Sequence, residues 1–245
     1  MESRKTGSEE TDVTTGDVEP PWWRASKRKG RRREPLSRRD IVEAAVRIVD
    51  AEGVDALTVR RLGQELDTGS ATLYWHISGK DQLGELVYDR IMGEIRLPET
   101  DPTRWEEQLK DVARQVYRVM LSHNDAVRLS LGRVGLGPNM LRLMEWLLDL
   151  LRGAGIPDQP AALFGDILGR YLDASVLEVS MVLCARGESA SQDAGVETMR
   201  SYLLTLPTDR FPNITALAPV LTAGHTEDRF EFGLELLVRG LAACA

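Results

Sequence analysis

Apolar residues recur three and four positions apart along almost the whole chain beyond position 37, and this rhythm predicts one helix after another. Ile41, Ala45, Ile48 and Val49 line one side of a first helix over 38–52, with Ser37 as its N-cap and Gly53 as its stop. Leu57, Leu62 and Leu66 mark a second helix that begins near Thr58. Asp67-Thr68-Gly69 breaks it, with Gly69 expected to take the unusual backbone angles. Ser70 reads as the N-cap of a very short third helix, in which Leu73 and Ile77 face inward. Thr72, Tyr74, Trp75 and His76 then point elsewhere, so a short helix displays a dense set of donors and aromatics. Such a helix suits a major groove, where base edges and phosphates are within reach.

Ser78 with Asp81 reads as a capping box for a fourth helix over 79–95, faced by Leu83, Leu86, Val87, Ile91 and Ile95 and ended by Pro98. It runs straight on from the short helix, which makes it a candidate lever. Asp101-Pro102, a cap and a first helical position, opens the next element. That element carries Trp105, Leu109, Val112, Val116 and Met120 on one side. Further helices are expected over 138–152 and, from Pro160, over 160–184. A polar loop is expected over 187–195, then helices over 196–206 and 213–221 and, capped by Thr226, over 227–241. The last has two apolar stripes, one through Phe230, Leu234, Leu237, Val238 and Leu241, the other through Phe232 and Leu236. A helix apolar on two sides is buried on two sides. Together with 160–184 it is expected to form a four-helix interface between two copies; an ordinary core helix at the chain end is the alternative. The predicted fold class is all-α.

Composition changes this picture in two places. At 42% hydrophobic and 28% charged, the 245-residue chain has enough apolar material for a real core. Residues 1–35 are the exception, polar and charged, and are expected to be a disordered tail. The chain starts with no secretory pattern, and no apolar run approaches the roughly 18 residues of a membrane span. The two cysteines, Cys184 and Cys244, make no disulfide framework. A cytoplasmic protein with no membrane partner is expected.

The net charge of −7 argues against nucleic acid only if it is evenly spread, and it is not. Residues 22–97 hold fifteen Lys and Arg against twelve acids, while the flanking stretches are acidic. A segregated basic face can bind DNA on an acidic body. Within the tail, Lys27, Arg28, Lys29, Arg31, Arg32 and Arg33 form a basic run. It reads as an arm lying along phosphates or in a minor groove, or else as a solubilising or RNA-binding tail. Trp22 and Trp23, just ahead of it, have no assigned role. Chemistry by turnover finds no support: there is no nucleophile elbow, HExxH, phosphate loop or dinucleotide fingerprint. His123 and His225 lack metal-pair spacing, so no metal and no cofactor is expected.

LTVRRLGQEL and above all TLYWHISGK make the segment from Leu36 to about Leu97 resemble the DNA-binding domain of the TetR family of bacterial transcriptional regulators, in its tetracycline-repressor subgroup. Looser likeness continues through Trp105, Leu121-Ser122-His123 and FEFGLELLVRGL. The resemblance implies a reading head over 36–97 and a ligand-binding, dimerising domain over 98–245. It implies a homodimer on a palindromic operator in double-stranded DNA, acting as a ligand-responsive repressor. An activator, or control by a protein, stays open. By position, Thr58 and Arg60 fall near the backbone and a base edge. Ser70, Ala71 and Thr72 fall where the family reads bases, and Tyr74, His76 and Lys80 where it grips phosphates, with Trp75 beside them. Each has a plainer alternative as a capping, packing or solvated residue. Ser70 replaces a glutamine of the tetracycline-responsive members, so a different operator is expected. The positions that hold magnesium-tetracycline in those members correspond to Arg96, Val112, Val116 and Ser130, which lack the metal-binding imidazole. A small, mostly hydrophobic inducer is expected instead, in a site lined by Val112, Val116, Met120, Leu129, Trp146, Phe164, Leu168 and Tyr171. All eight serve equally well as plain core.

Overall fold

The computed structural model describes residues 36–131, 135–188, 192–223 and 226–244, with backbone alone over 182–194. The basic run 27–33, Trp22, Trp23, His225 and the side chain of Cys184 lie outside the described residues. Among those described, the chain is helical with no strand.

The head is built from α1 (Arg38–Glu52), α2 (Val59–Glu65), α3 (Ser70–Leu73) and α4 (Lys80–Met92). The α1 start is a full capping box: Ser37 Oγ accepts from Asp40 N–H at 3.1 Å, and Asp40 accepts from Ser37 N–H at 3.1 Å. It ends as expected at Gly53, whose N–H closes on Val49 O. Ile41, Ala45, Ile48 and Val49, the stripe expected from spacing, are at most 1% exposed. Thr58 caps α2 by accepting from Arg61 N–H, and Arg61 then clamps Glu52 of α1 at 2.6 Å and Glu65 at 3.1 Å.

Two local expectations are corrected at the α2–α3 turn. The left-handed residue is Asp67, with φ 46°, whereas Gly69 is extended. Gly69, not Ser70, is the N-cap of α3, so Ser70 is its first helical residue and its hydroxyl makes no cap bond. A different glycine is indispensable here: a Cβ on Gly63 would lie 2.8 Å from Thr68 O, where the chain doubles back and Thr68 N–H bonds Gly63 O. At α4 the Ser78–Asp81 box is also corrected. Ser78 N–H and hydroxyl both donate to Gln82 Oε1, at 2.6 and 3.1 Å, and the cap position belongs to Gly79.

The body comprises α5 (Trp105–Ser122), α6 (Pro138–Gly153), α7 (Asp158–Glu188), α8 (Gln192–Leu204), α9 (Pro212–Leu221) and α10 (Thr226–Ala242). A 3-10 turn over Pro102–Arg104, capped by Asp101, leads into α5. The polar loop expected over 187–195 is corrected, since α7 runs on to Glu188 and α8 already begins at Gln192. The start of α7 moves back from Pro160 to Asp158, and Thr226 is the first residue of α10, not its cap. Helix α7 packs against α5, α6 and α10. Tyr117, Phe230 and Tyr171 stack in series, with centroids 4.0 and 5.9 Å apart. Lys110–Glu235 and Arg114–Glu231 pair α5 with α10.

Helix α4 joins the two parts. One contiguous hydrophobic cluster runs from Ile41 and Leu62 in the head through Ile91, Met92 and Ile95 to Leu109, Leu150 and Leu234 in the body. Asp89, 5% exposed, supplies the α6 N-terminus with the acceptor that its own cap, Gly137, lacks. It accepts from Asn139 N–H, Asn139 Nδ2 and Met140 N–H, each at 3.0 Å. Gly93 permits this contact, because a Cβ there would lie 3.1 Å from Asn139. Arg142 of α6 donates to Ile95 O at 2.9 Å. On the other flank, the His123 ring nitrogens lie 2.9 Å from Asp50 and 3.3 Å from Glu94, and Arg128 pairs with Asp55 at 2.9 Å.

Candidate nucleic-acid interface and ligand site

Leu73 and Ile77, at 0% and 1% exposure, pin α3 to the head from beneath. With that face inward, the remaining side chains have to point out. Ser70, Ala71 and Thr72 are exposed, Tyr74 is 57% and Trp75 38% exposed, and His76 is half-buried. Arg60 and Lys80 flank them on the surface. Among the described residues, the side chains of Arg60, Ser70, Thr72, Tyr74, His76 and Lys80 have no hydrogen-bond or ion-pair partner. Thr58 differs, since its oxygen is occupied by the α2 cap while its proton stays free to donate. Hydroxyls, a phenol and cations are thus displayed on α3 and on the adjoining starts of α2 and α4, a chemistry matched to phosphates and base edges.

The expected pocket residues divide in two. Val112, Val116, Met120, Leu129, Trp146, Phe164 and Leu168 are all buried, at 2 to 8% exposure. Two of the aromatics have polar ends already committed inside the chain. Trp146 Nε1 donates to Pro98 O at 2.8 Å, and the Tyr171 hydroxyl donates to Phe230 O at 2.7 Å. Arg96 is exposed, its N–H donating to Gln115 Oε1 at 3.3 Å, and it borders a surface recess of about 380 Å³ with Arg104, Gln108 and Gln115. Sequence spacing missed three polar residues drawn into the packing: Asp89, which is buried, and Tyr88 and Asp173, which are half-buried. Burial pushes the Asp89 and Asp173 carboxyls above the usual aspartate range, although Asp89 has three donors and Asp173 a hydrogen bond with Ser130. Among the described residues no group of His, Cys, Asp and Glu is placed to hold a metal, and no helix is long and apolar enough to cross a membrane.

A family model described as "Bacterial regulatory proteins, tetR family" matches residues 41–87, and "Tetracyclin repressor-like, C-terminal domain" matches residues 97–245. The chain belongs to the TetR family. It is a helix-turn-helix, DNA-binding transcriptional regulator of that family. An HTH-type transcriptional regulator of Saccharopolyspora erythraea is 31% identical over 98% of both chains. The HTH-type transcriptional repressor DrrR1 of Streptomyces coeruleorubidus is 29% identical over 89% of this chain and 82% of its own. Among solved structures, ActR from Streptomyces coelicolor in complex with actinorhodin superposes with a TM-score of 0.79 at 41% identity, covering 87% of this chain and 98% of that one. Apo ActR gives the same TM-score at 40% identity.

Proposed function

We propose that this TetR-family regulator is a repressor that holds a palindromic operator as a homodimer and releases it when a small, mostly apolar ligand enters the body. The α3 tip carries this reading, with Leu73 and Ile77 buried beneath an outward set of unpartnered donors. Arg60, Ser70, Ala71 and Thr72 select sequence, while Thr58, Tyr74, Trp75, His76 and Lys80 grip the phosphate backbone. The basic run 27–33 adds affinity without sequence choice. Residues 36–97 act as the head and 98–245 as the ligand-binding and dimerising body.

The unpartnered apolar surface supports pairing of two chains. Leu163 and Ile167 on α7 are 54% and 47% exposed, and Phe232 and Leu236 on α10 are 68% and 54% exposed. Each pair is four residues apart and so forms a stripe on its helix. Two heads held this way meet successive major grooves of a two-fold site. Release follows if the ligand favours a pose of α6 that drags α4, through Asp89, away from the DNA-bound spacing. The relative ActR binds actinorhodin, DrrR1 is named a repressor, and the apolar Val112 and Val116 suit an organic inducer better than a metal chelate. The chain works by binding, without turnover.

A gel shift on the DNA upstream of its own gene, with and without a panel of hydrophobic antibiotics and metabolites, tests the proposal. A specific shift that one compound abolishes is the expected result. Shifting of any DNA alike, lost when residues 1–35 are deleted, would mark a nonspecific tail-driven binder instead.

A further inference from the structure

The surface recess of about 380 Å³ lies where the head meets the body and is of a size that holds small molecules. Arg96, Leu97 and Pro98, just beyond the end of α4, line it together with Gln108, Val112 and Gln115 of α5. Leu97, Pro98 and Val112 give it apolar wall. Val112 is 4% exposed and is the one of the eight expected pocket residues that lines the recess. Pro98 is also the residue whose carbonyl accepts from Trp146 Nε1 at 2.8 Å.

Most polar groups around the recess are committed within the chain. Gln108 is used at both ends, accepting from Asp101 N–H at 2.8 Å and donating to Glu99 O at 2.8 Å. Asp111 takes Arg114 at 2.9 Å, and Arg104 takes Glu107 at 2.8 Å. Gln115 Oε1 accepts from Arg96 N–H at 3.3 Å, while the Gln115 amide N–H groups have no acceptor among the described residues. The Arg96 guanidinium has none either, although Asp111 lines the same recess. Among the described arginines between positions 90 and 142 it is the exception. Arg90, Arg104, Arg114 and Arg128 pair with carboxylates, and Arg118 and Arg142 donate to carbonyls.

We propose that the recess is the acid-binding end of the ligand site: Arg96 takes the carboxylate of an aromatic acid, Gln115 Nε2 adds a donor, and Leu97, Pro98 and Val112 receive the ring. This rests on the reading of the chain as ligand-responsive. A guanidinium fork meets a planar carboxylate with paired N–H donors, which a point charge cannot do. The charges favour a carboxylate over a phosphate. Glu107 offsets Arg104 and Arg114 offsets Asp111, so Arg96 brings a single uncommitted positive charge to meet a single negative one. The position gives the contact a consequence. Arg96 belongs to the segment that leaves α4, whereas Val112 and Gln115 belong to α5, so an occupant tied to both biases how α4 sits against the body.

The test uses the full-length protein with anthraquinone-2-carboxylate and anthraquinone-2-carboxamide, which share a flat skeleton and differ in charge. Binding is read by calorimetry or by quenching of tryptophan fluorescence, Trp146 being bonded to Pro98 at the recess. Wild type is expected to favour the carboxylate about 10-fold or more, Arg96→Gln to shrink that ratio to within about 2-fold, and Arg96→Lys to fall between. Added salt should erode the preference of wild type and leave that of Arg96→Gln where it is. Arg96 is exposed, so Tm should stay within about 1 °C in both variants. No carboxylate preference in wild type, an undiminished preference in Arg96→Gln, or binding of neither probe overturns the proposal. A Tm loss of several degrees in Arg96→Gln also overturns it, by making Arg96 a structural contact. The two readings fail separately. No carboxylate preference with operator binding intact sinks only the acid site, whereas absent operator binding sinks the regulator reading.

Discussion

The α3 tip and the α4–α6 junction are both polar, yet they treat their donors in opposite ways. At the tip, Arg60, Ser70, Thr72, Tyr74 and Lys80 face solvent with no side-chain partner among the described residues. At the junction, Asp89 accepts three hydrogen bonds, Arg142 reaches Ile95 O, and Gly93 lets α6 come close. Water serves the tip's donors, so leaving them open costs the free protein little. The junction is part-buried, so its polar groups are satisfied by one another or at a cost. The tip therefore bears on what the protein binds, and the junction on how firmly the head is held.

Mutations can break that division. The largest effect is expected at the junction: Asp89→Ala strands two part-buried N–H groups and should cost about 2–3 kcal/mol, read as a fall in Tm or in the denaturant midpoint. Asp89→Asn should recover much of it, since one carbonyl still accepts. A null effect of Asp89→Ala on both stability and ligand response would remove the junction from the mechanism. Next comes Tyr74→Ala, expected to weaken operator binding by about 10-fold while leaving Tm within about 1 °C. If Tm drops with affinity, the tip is structural after all and the comparison fails.

The pH response is smaller and concerns the buried Asp89 and the half-buried Asp173. Their folded-state values lie above the ordinary 3.8. Each therefore leaves stability intact at low pH and subtracts from it as pH rises through the raised value. Asp173→Asn should thus gain on wild type as pH rises through the raised value and lose that gain as pH falls towards 3.8, read as Tm against pH. The smallest expected change is Ser70→Gln, which should shift operator preference with total affinity nearly kept. Selection from a randomised half-site library reads it out.

The helices were legible because burial repeats along them. The α1 boundaries follow from Ser37 and Gly53, and the inward turn of Leu73 and Ile77 from spacing alone. The errors fall where the decisive neighbour is elsewhere. Ser70 reads as a cap because serine often is one, but Gly69 already holds the extended cap conformation. Asp89 looks like a solvated helix carboxylate until Asn139, fifty residues on, packs over it. A hint did exist: Gly137-Pro138 opens α6 without any side chain able to cap it, so an acceptor from outside was required. Asp173 carried no such hint, because nothing in its own helix shows that Ser130, forty-three residues earlier, bonds its carboxyl.

The shared hydrophobic cluster through α4 bears on any attempt to treat the head as an exchangeable part. Cut away after position 97 and fused to a foreign partner, it would arrive with Ile91, Met92 and Ile95 stripped of Leu109 and Leu150. Such a chimera would need its seam redesigned before its operator preference could be measured. Melting of the native chain, for the same reason, should run as one event from tip to tail.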